Sequence, residues 1–392
     1  MKLLVLVPEK ISEWVDKGEV VDRYYNPGNL FDEVHICICT SDNPDHSSLQ
    51  RMVGDAKLFV SSFRFGRFAQ IATLGLQPFL LRFWSRKIVK YAKVVRPDLV
   101  RCHGSLQNAY AAKRIKATLG VPYLVSLHTN PDVDLRNRPG PVLLRTWLFL
   151  TQNVERSSLR SADLVMPVYE PILPYLERLR VPRVKVHYNV INSRIRTKSS
   201  WVLSSPPRLL YVGRTYSLKN PIEIIRAMKF VPVGNLTVVG NGPLHESLVR
   251  ERDSLGLQER VTFIPIASND EVCQLLSEAD LFVVHTEHWE ISKAVLEALL
   301  TGVPIVINKR SGLAVPELNS SLVTYVDNNA GSYARAIGYL LGNQESREAQ
   351  GHNSIHTSWT RWSPSVTEQA YVDTYRQFLG PLKQIRTSIT KK

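Results

Sequence analysis

The chain has 392 residues, 44% hydrophobic and 21% charged, and a formal net charge of +14. That length exceeds what one hydrophobic core usually fills, so two domains are expected, and the composition excludes a disordered chain. No run of ~20 apolar residues suggests a membrane span. Four scattered cysteines (Cys37, Cys39, Cys102, Cys273) make no disulfide framework and read as reduced core thiols of a cytoplasmic protein.

The charge is uneven. Residues 1–200 carry 30 Lys and Arg against 17 Asp and Glu, whereas residues 201–392 carry 19 against 18. Such asymmetry points the first half toward an anionic partner: membrane lipid, an acidic glycan or nucleic acid.

In chain order, the N-terminal run ending at Pro8 is too short for a signal peptide and reads as a first buried strand, Leu3–Val7. Further strands are expected at Val34–Ile38, Leu99–Arg101, Tyr123–Leu127 and Leu164–Pro167. Helical patterns lie between them, among them Asn108–Leu119 and Val142–Leu159. This alternation predicts a parallel sheet with helices on both faces. The periodicity breaks at Ser199–Pro207, read as a linker. It then restarts with strands at Leu209–Val212, Leu236–Val239, Val261–Ile264, Leu281–Val284 and Pro304–Ile307. Helices are expected at Ile222–Ala227, Leu244–Leu255, Asp270–Glu278, Lys293–Leu300 and Ser365–Phe378.

Four features fall at the carboxyl ends of second-half strands. In Gly213-Arg214…Lys219-Asn220-Pro221, glycine permits a sharp turn, and arginine and lysine offer a fork and a point charge suited to a diphosphate. Gly240-Asn-Gly242 has His245 where a dinucleotide fingerprint has its third glycine, so it reads as a tight turn or a glycine-lined ligand wall. At Ile264-Pro-Ile266-Ala267, backbone groups ahead of a helix cap can read a base edge. Finally, Ser292 is a good N-cap, so the helix from Lys293 turns its free N–H groups and positive dipole end toward an anion. Glu297 lies about one turn inside, able to accept from two ribose hydroxyls, and Glu290 lies before the cap. Two surface glutamates would look the same in sequence.

Gly213-Arg214 with Lys219 five residues after the arginine, Gly240-Asn-Gly-Pro243, Ala279-Asp280-Leu-Phe-Val-Val284, and Leu296-Glu297-Ala298 followed by Gly302-Val-Pro304-Ile-Val306 form an ordered set. Over roughly residues 208–318 it resembles the donor-binding domain of family-four retaining glycosyltransferases (glycosyl transferases group 1). The resemblance implies an α/β GT-B fold, with two Rossmann-like, doubly wound parallel-sheet domains facing each other across a cleft. Residues 1–200 would bind the acceptor and residues 201–364 the nucleotide-sugar donor, with a terminal helix at about 365–392 packing back on the first domain. It implies sugar transfer from a nucleotide-diphosphate sugar to a glycan, lipid-linked or other acceptor, with retention of anomeric configuration, in cell-surface polysaccharide or glycoconjugate biosynthesis. The nucleotide sugar is the co-substrate and no further cofactor is expected.

By the same resemblance Arg214 and Lys219 would hold the diphosphate beside Ser292 and Lys293. Glu297 would take the ribose, with Gly240 and Ile266 on the nucleoside. One residue departs from the pattern. The family's first glutamate stands eight positions before the second, a place held here by Trp289, and Glu290 occupies the following glycine position. A loop absorbs such a shift, whereas within a helix it would rotate the side chain by ~100°. Glu290 is therefore the favoured equivalent, ahead of Glu287.

In the first half, His128 ends the strand Tyr123–Leu127. A strand-end histidine can hydrogen-bond a sugar hydroxyl or a developing charge, or simply close the core. The resemblance places it near the reacting carbon, although Thr129 replaces the usual acidic neighbour. His128 and Glu290 are thus the catalytic candidates. Gly18, Arg23 and His103 are candidate cleft-lining residues; Gly18 stands in for the family's paired-glycine loop, and Arg23, Tyr24 and Tyr25 read equally as a loop packed on its own domain.

Residues 57–96 hold nine basic residues and no acidic one, interleaved with Phe59, Phe63, Phe65, Phe68, Phe79, Phe83, Trp84 and Tyr91. This suits an anionic membrane surface, which would make the protein cytoplasmic and peripheral on the inner face of the membrane. Single-stranded nucleic acid, disfavoured without a recognisable RNA-binding motif, and a helical face beside the acceptor remain as readings. His285 and His288 lack a convincing third ligand, so no metal site is expected. A nucleotide-sugar epimerase of the same fold and a non-catalytic nucleotide-sugar or glycan-binding protein are the rival functions.

Overall fold

The computed structural model describes residues 1–16, 18–65, 77–133, 142–310 and 315–389. Lys17, Phe68 with the rest of the basic stretch at 66–76, positions 311–314 of the resemblance and the terminal residues 390–392 lie outside the described residues. Two compact units divide the chain. One comprises residues 1–16, 20–190 and 367–392, the other residues 17–19 and 191–366.

The first unit holds β1 (Lys2–Val7), α1 (Ser12–Asp16), β2 (Glu33–Ile38), α2 (His46–Val53), β3 (Lys57–Ser62), α3 (Gln77–Val95), β4 (Leu99–His103), α4 (Gln107–Leu119), β5 (Tyr123–Leu127), α5 (Val142–Ser161), β6 (Leu164–Pro167) and α6 (Leu173–Arg178). Its strands form one parallel sheet in the order β3-β2-β1-β4-β5-β6. Parallel strands are covered on both faces, which is why β1 is an unbroken apolar run whose Leu3 to Val7 are fully buried. Strand β3, not anticipated from sequence, is the edge. Lys57, Phe59 and Ser62 are exposed along it, so its apolar signal is diluted.

The second unit repeats the winding with β7 (Arg208–Val212), α7 (Ile222–Ala227), β8 (Asn235–Val239), α8 (His245–Ser254), β9 (Val261–Ile264), α9 (Asn269–Glu278), β10 (Leu281–Val284), α10 (Lys293–Thr301), β11 (Ile305–Asn308), β12 (Thr324–Val326), α11 (Ala330–Gly342) and α12 (Gln344–Trp362). Its parallel sheet runs β12-β11-β10-β7-β8-β9. The stretch expected as a linker is irregular, and Trp201 within it is buried, its Nε1 donating to Gly302 O at 2.7 Å. A last helix, α13 (Pro364–Ile389), belongs to the first unit from Thr367 onward. Its Tyr371, Tyr375 and Leu379 join the core built by β1 and β2.

Each sheet grows outward on one side and then returns to the other side of its first strand. The reversal lies between β1 and β4 in the first unit and between β7 and β10 in the second. At such switch points the loops leaving the carboxyl ends of adjacent strands diverge and leave room for a ligand.

Candidate functional site

In the second unit the loops after β7 and β10 are bonded together. Glu287 N donates to Leu218 O at 2.8 Å, and Asn220 N donates to His285 Nδ1 at 2.9 Å. That bond fixes the His285 tautomer, leaving Nε2–H to face Glu287 Oε1 at 3.0 Å. The fully buried Asn308, at the end of β11, accepts from Thr286 N at 2.9 Å and donates to Thr286 O at 3.1 Å, anchoring the β10 loop from the other side.

Lys219 is placed by its backbone. A tight turn pairs it with Tyr216 through hydrogen bonds of 3.2 and 2.8 Å, and the Tyr211 hydroxyl donates to Lys219 O at 3.3 Å. Its Nζ then sits 2.5 Å from Glu290 Oε1. Burial works against the ammonium, but the facing Glu290 carboxylate outweighs it and raises the Lys219 pKa. Burial likewise pushes Glu290 up, while Lys219, His288 and Arg310 draw it down to a net value below the ordinary carboxylate range. Both partners are therefore charged near neutrality. Arg310 Nη1 donates to Glu290 O at 3.0 Å. The Tyr216 hydroxyl is hydrogen-bonded to His288 Nε2, and the exposed Arg214 guanidinium lies 6.0 Å from the Tyr216 ring centroid.

Helix α10 begins where the cap predicts. Ser292 Oγ accepts from Val295 N at 3.4 Å, and Gly302 closes the helix at φ 79°. Glu290 precedes the cap, so the one-residue shift falls in a loop. The structure brings Glu290 to Lys219 and leaves Glu287 to His285. Glu297, only 1% exposed, accepts from Asn269 Nδ2 at 2.9 Å and has Lys293 Nζ at 3.6 Å. Burial raises its pKa against the pull of Lys293 and Asn269. Asn269 Oδ1 is itself held by Asn192 Nδ2 at 3.0 Å.

The glycines at these turns are required sterically. Gly240 has φ +121°, and a Cβ there would stand 2.3 Å from Gly213 O. Gly18, of the short segment grouped with this unit, has φ +69°; its Cβ would stand 2.5 Å from Ala267 O, and its own carbonyl accepts from Asn269 N at 2.9 Å. Ile266 is 60% exposed beside that turn. Gly18 is thus placed at the start of α9, under the residue that holds Glu297.

The first unit presents a different cluster at its strand ends. His103, ending β4, and His128, following β5, stack with centroids 5.3 Å apart and face each other through Nδ1 and Nε2 at 3.3 Å. The Tyr24 hydroxyl is 3.5 Å from His128 Nε2, and Tyr169 donates to His128 O at 3.0 Å. Below them the fully buried Arg101 donates to Ser126 Oγ, Tyr24 O and the Tyr375 hydroxyl at 3.0–3.1 Å. Its guanidinium lies 4.6 Å from the Tyr371 ring centroid. Burial first, and the Arg101 charge second, push His128 down to about 4 and His103 well below its ordinary value. Both imidazoles are neutral at pH 7. Arg23 instead pairs with Glu368 of α13 at 2.8 Å, and Tyr25 is wholly buried, so this loop is packed on its own unit.

Sequence reasoning missed Asn269, Arg310, Tyr216 and Arg101. Only Arg101 left a signal, a charge inside the otherwise apolar run Leu99–Cys102 of β4. The four thiols are buried and unpaired. Among the described residues no group of three or more His, Cys, Asp or Glu side chains is arranged to hold a metal ion, and no helix is long and apolar enough to cross a membrane.

Two doubly wound parallel sheets of this topology in one chain define the GT-B fold. Comparison with known proteins agrees. The family model for glycosyl transferases group 1 matches residues 194–357, and that for the glycosyl transferase 4-like domain matches residues 29–189. The chain belongs to the glycosyl transferases group 1 family. It is 32% identical over 184 residues to the D-inositol 3-phosphate glycosyltransferase of Mycobacterium tuberculosis; the match takes in 43% of this chain and 37% of that protein. Among solved structures, Thermosynechococcus elongatus sucrose-phosphate synthase superposes with a TM-score of 0.74 at 17% identity, over 97% of this chain and all of that one. Anabaena HepE, crystallised with UDP, gives 0.72 at 17% identity, over 96% of this chain and all of that one.

Proposed function

We propose that this chain transfers a sugar from a nucleotide-diphosphate sugar to a glycan or lipid-linked acceptor with retention at the anomeric carbon, in the building of a cell-surface polysaccharide or glycoconjugate. The observation that carries the reading is the Lys219–Glu290 ion pair at the β7/β10 switch point, with Glu297 one turn inside the helix that follows. The UDP-glucose bound by HepE supports a nucleotide-sugar donor of this kind.

In this reading Arg214, Lys219, the Ser292 cap and the N–H groups from Lys293 hold the diphosphate. Gly240 and Ile266 line the nucleoside, and Glu297 takes the ribose hydroxyls. The bond from the anomeric carbon to the diphosphate oxygen breaks and a bond to the acceptor oxygen forms on the same face. The acceptor's proton leaves with the departing phosphate. Lys219 and Arg214 stabilise the charge growing on that phosphate, which is an electrostatic contribution to the barrier. His128 and Glu290 position the sugar, and neither is asked to form a covalent bond. His103 is assigned to shaping the acceptor side, whereas Arg23 is held by Glu368 and Gly18 by the turn against Ala267. No metal or further cofactor is invoked, and the cytoplasm, where nucleotide sugars are made, is the proposed compartment.

The test is incubation of the full chain with a panel of nucleotide sugars and sugar or lipid-phosphate acceptors, with NMR of the product anomer. Acceptor-dependent release of nucleoside diphosphate and a product of the donor's own anomeric configuration are expected. An epimerised sugar formed without acceptor, or donor binding with no turnover, would replace this reading with one of its rivals.

A further inference from the structure

Helix α3 divides cleanly into two faces. Leu81, Trp84, Ile88 and Ala92 are buried. The opposite face carries Arg82, Arg86, Lys87, Lys90 and Lys93, all exposed. Among these cations stand Phe79, Phe83 and Val94, which are 70, 61 and 79% exposed. At ~100° per residue these eight side chains share one arc of about 140°. No acidic residue occurs on the helix. The Arg86 guanidinium lies 5.6 Å from the Phe83 ring centroid, so the charged and apolar groups are interleaved rather than segregated. Arg114 of α4 adds a sixth cation alongside, its Nη1 donating to Arg82 O at 2.5 Å.

Two large exposed phenyl rings are costly on an ordinary solvated face, and five cations without an acid repel one another unless an anion lies opposite. The cations and rings share one face of one helix, whereas single-stranded nucleic acid is held in a groove lined by stacking aromatics. We infer that the outer face of α3 docks on an anionic lipid bilayer, with its lysines and arginines at the phosphate headgroups and Phe79 and Phe83 in the interfacial layer. The cations supply a salt-sensitive attraction and the rings a salt-insensitive one. This inference is independent of the donor reading.

The experiment is co-sedimentation of the full chain with phosphatidylcholine vesicles, with and without phosphatidylglycerol, at low and high salt. Binding should require phosphatidylglycerol and weaken with salt. Each cation near an anionic surface contributes about fivefold to partitioning, so Lys87→Gln/Lys90→Gln/Lys93→Gln should lose roughly 100-fold. Phe79→Ser/Phe83→Ser should bind more weakly but keep the salt dependence. All five positions are exposed, and circular dichroism of each variant checks that the fold persists. Absence of salt-sensitive binding by the parent chain, unchanged binding of the folded lysine variant, or tighter binding of oligo-uridylate than of vesicles would overturn the inference.

Discussion

The two switch points are built on one topology and carry opposite chemistry. At β7/β10 charges meet counter-charges or an acceptor: Lys219 faces Glu290, Lys293 approaches Glu297, and Arg310 grips the Glu290 carbonyl. At the strand ends of the first unit the cluster of Arg101, His103, His128 and Tyr24 contains no carboxylate; its cation donates to two hydroxyls and a carbonyl and lies against an aromatic face, with Arg101 Nη2 buried and without a hydrogen-bond partner. Paired charges can exchange partners when a charged diphosphate arrives, whereas neutral imidazoles and phenols suit hydroxyl-rich, uncharged sugar.

The largest expected effect lies on the paired side. Lys219→Ala should lower kcat/KM at least 100-fold, about 2.7 kcal/mol of transition-state stabilisation. Steady-state assays would break the comparison if the variant kept near-normal turnover. On the neutral side, His128→Ala should lower kcat about 30-fold while leaving donor affinity within about twofold. A change confined to donor affinity would move His128 out of its proposed role. Third, Gly240→Ala places a methyl against the Gly213 carbonyl at a positive φ and should cost roughly 2 kcal/mol in denaturant unfolding. No loss would show that the β7 and β8 turns are not in contact.

The smallest effect concerns acid. His103 and His128 are held neutral by burial, His128 to about 4, and His187 to about 3. Unfolding frees each imidazole to take up a proton that the folded unit refuses. Stability is therefore complete above about pH 6.5 and falls as the pH drops from there toward about 4. Between pH 7 and pH 6 the loss should be roughly 0.7 kcal/mol for each such histidine. Thermal melts of the parent and His128→Gln should differ in this slope; parallel curves would mean His128 titrates in the folded chain.

Sequence carried the fold wherever strands are buried on both faces. Leu3–Val7 of β1 and the whole of β10 are short continuous apolar runs, and parallel packing demands them. The strands it missed are edges: β3 dilutes its apolar residues with exposed Lys57 and Ser62, and β12 has three residues. At the site, Lys219 and Glu297 were legible because local rules govern them, a turn after a strand and a capped helix. Glu290 was legible only as a choice; the structure sets it against Lys219 and sets Glu287 against His285. Asn269 and Arg310 were not legible, since each matters through a tertiary meeting of segments about 20–30 residues apart.

The proposed function requires the β7/β10 edge to bind the diphosphate and ribose of a nucleotide donor. Calorimetric titration with UDP and GDP tests it most directly, in the parent chain, Lys219→Ala and Glu297→Ala. Saturable binding of at least one nucleotide by the parent and at least tenfold weaker binding by each variant are expected. Equal affinity in all three proteins, or binding of neither nucleotide by the folded parent, would contradict it.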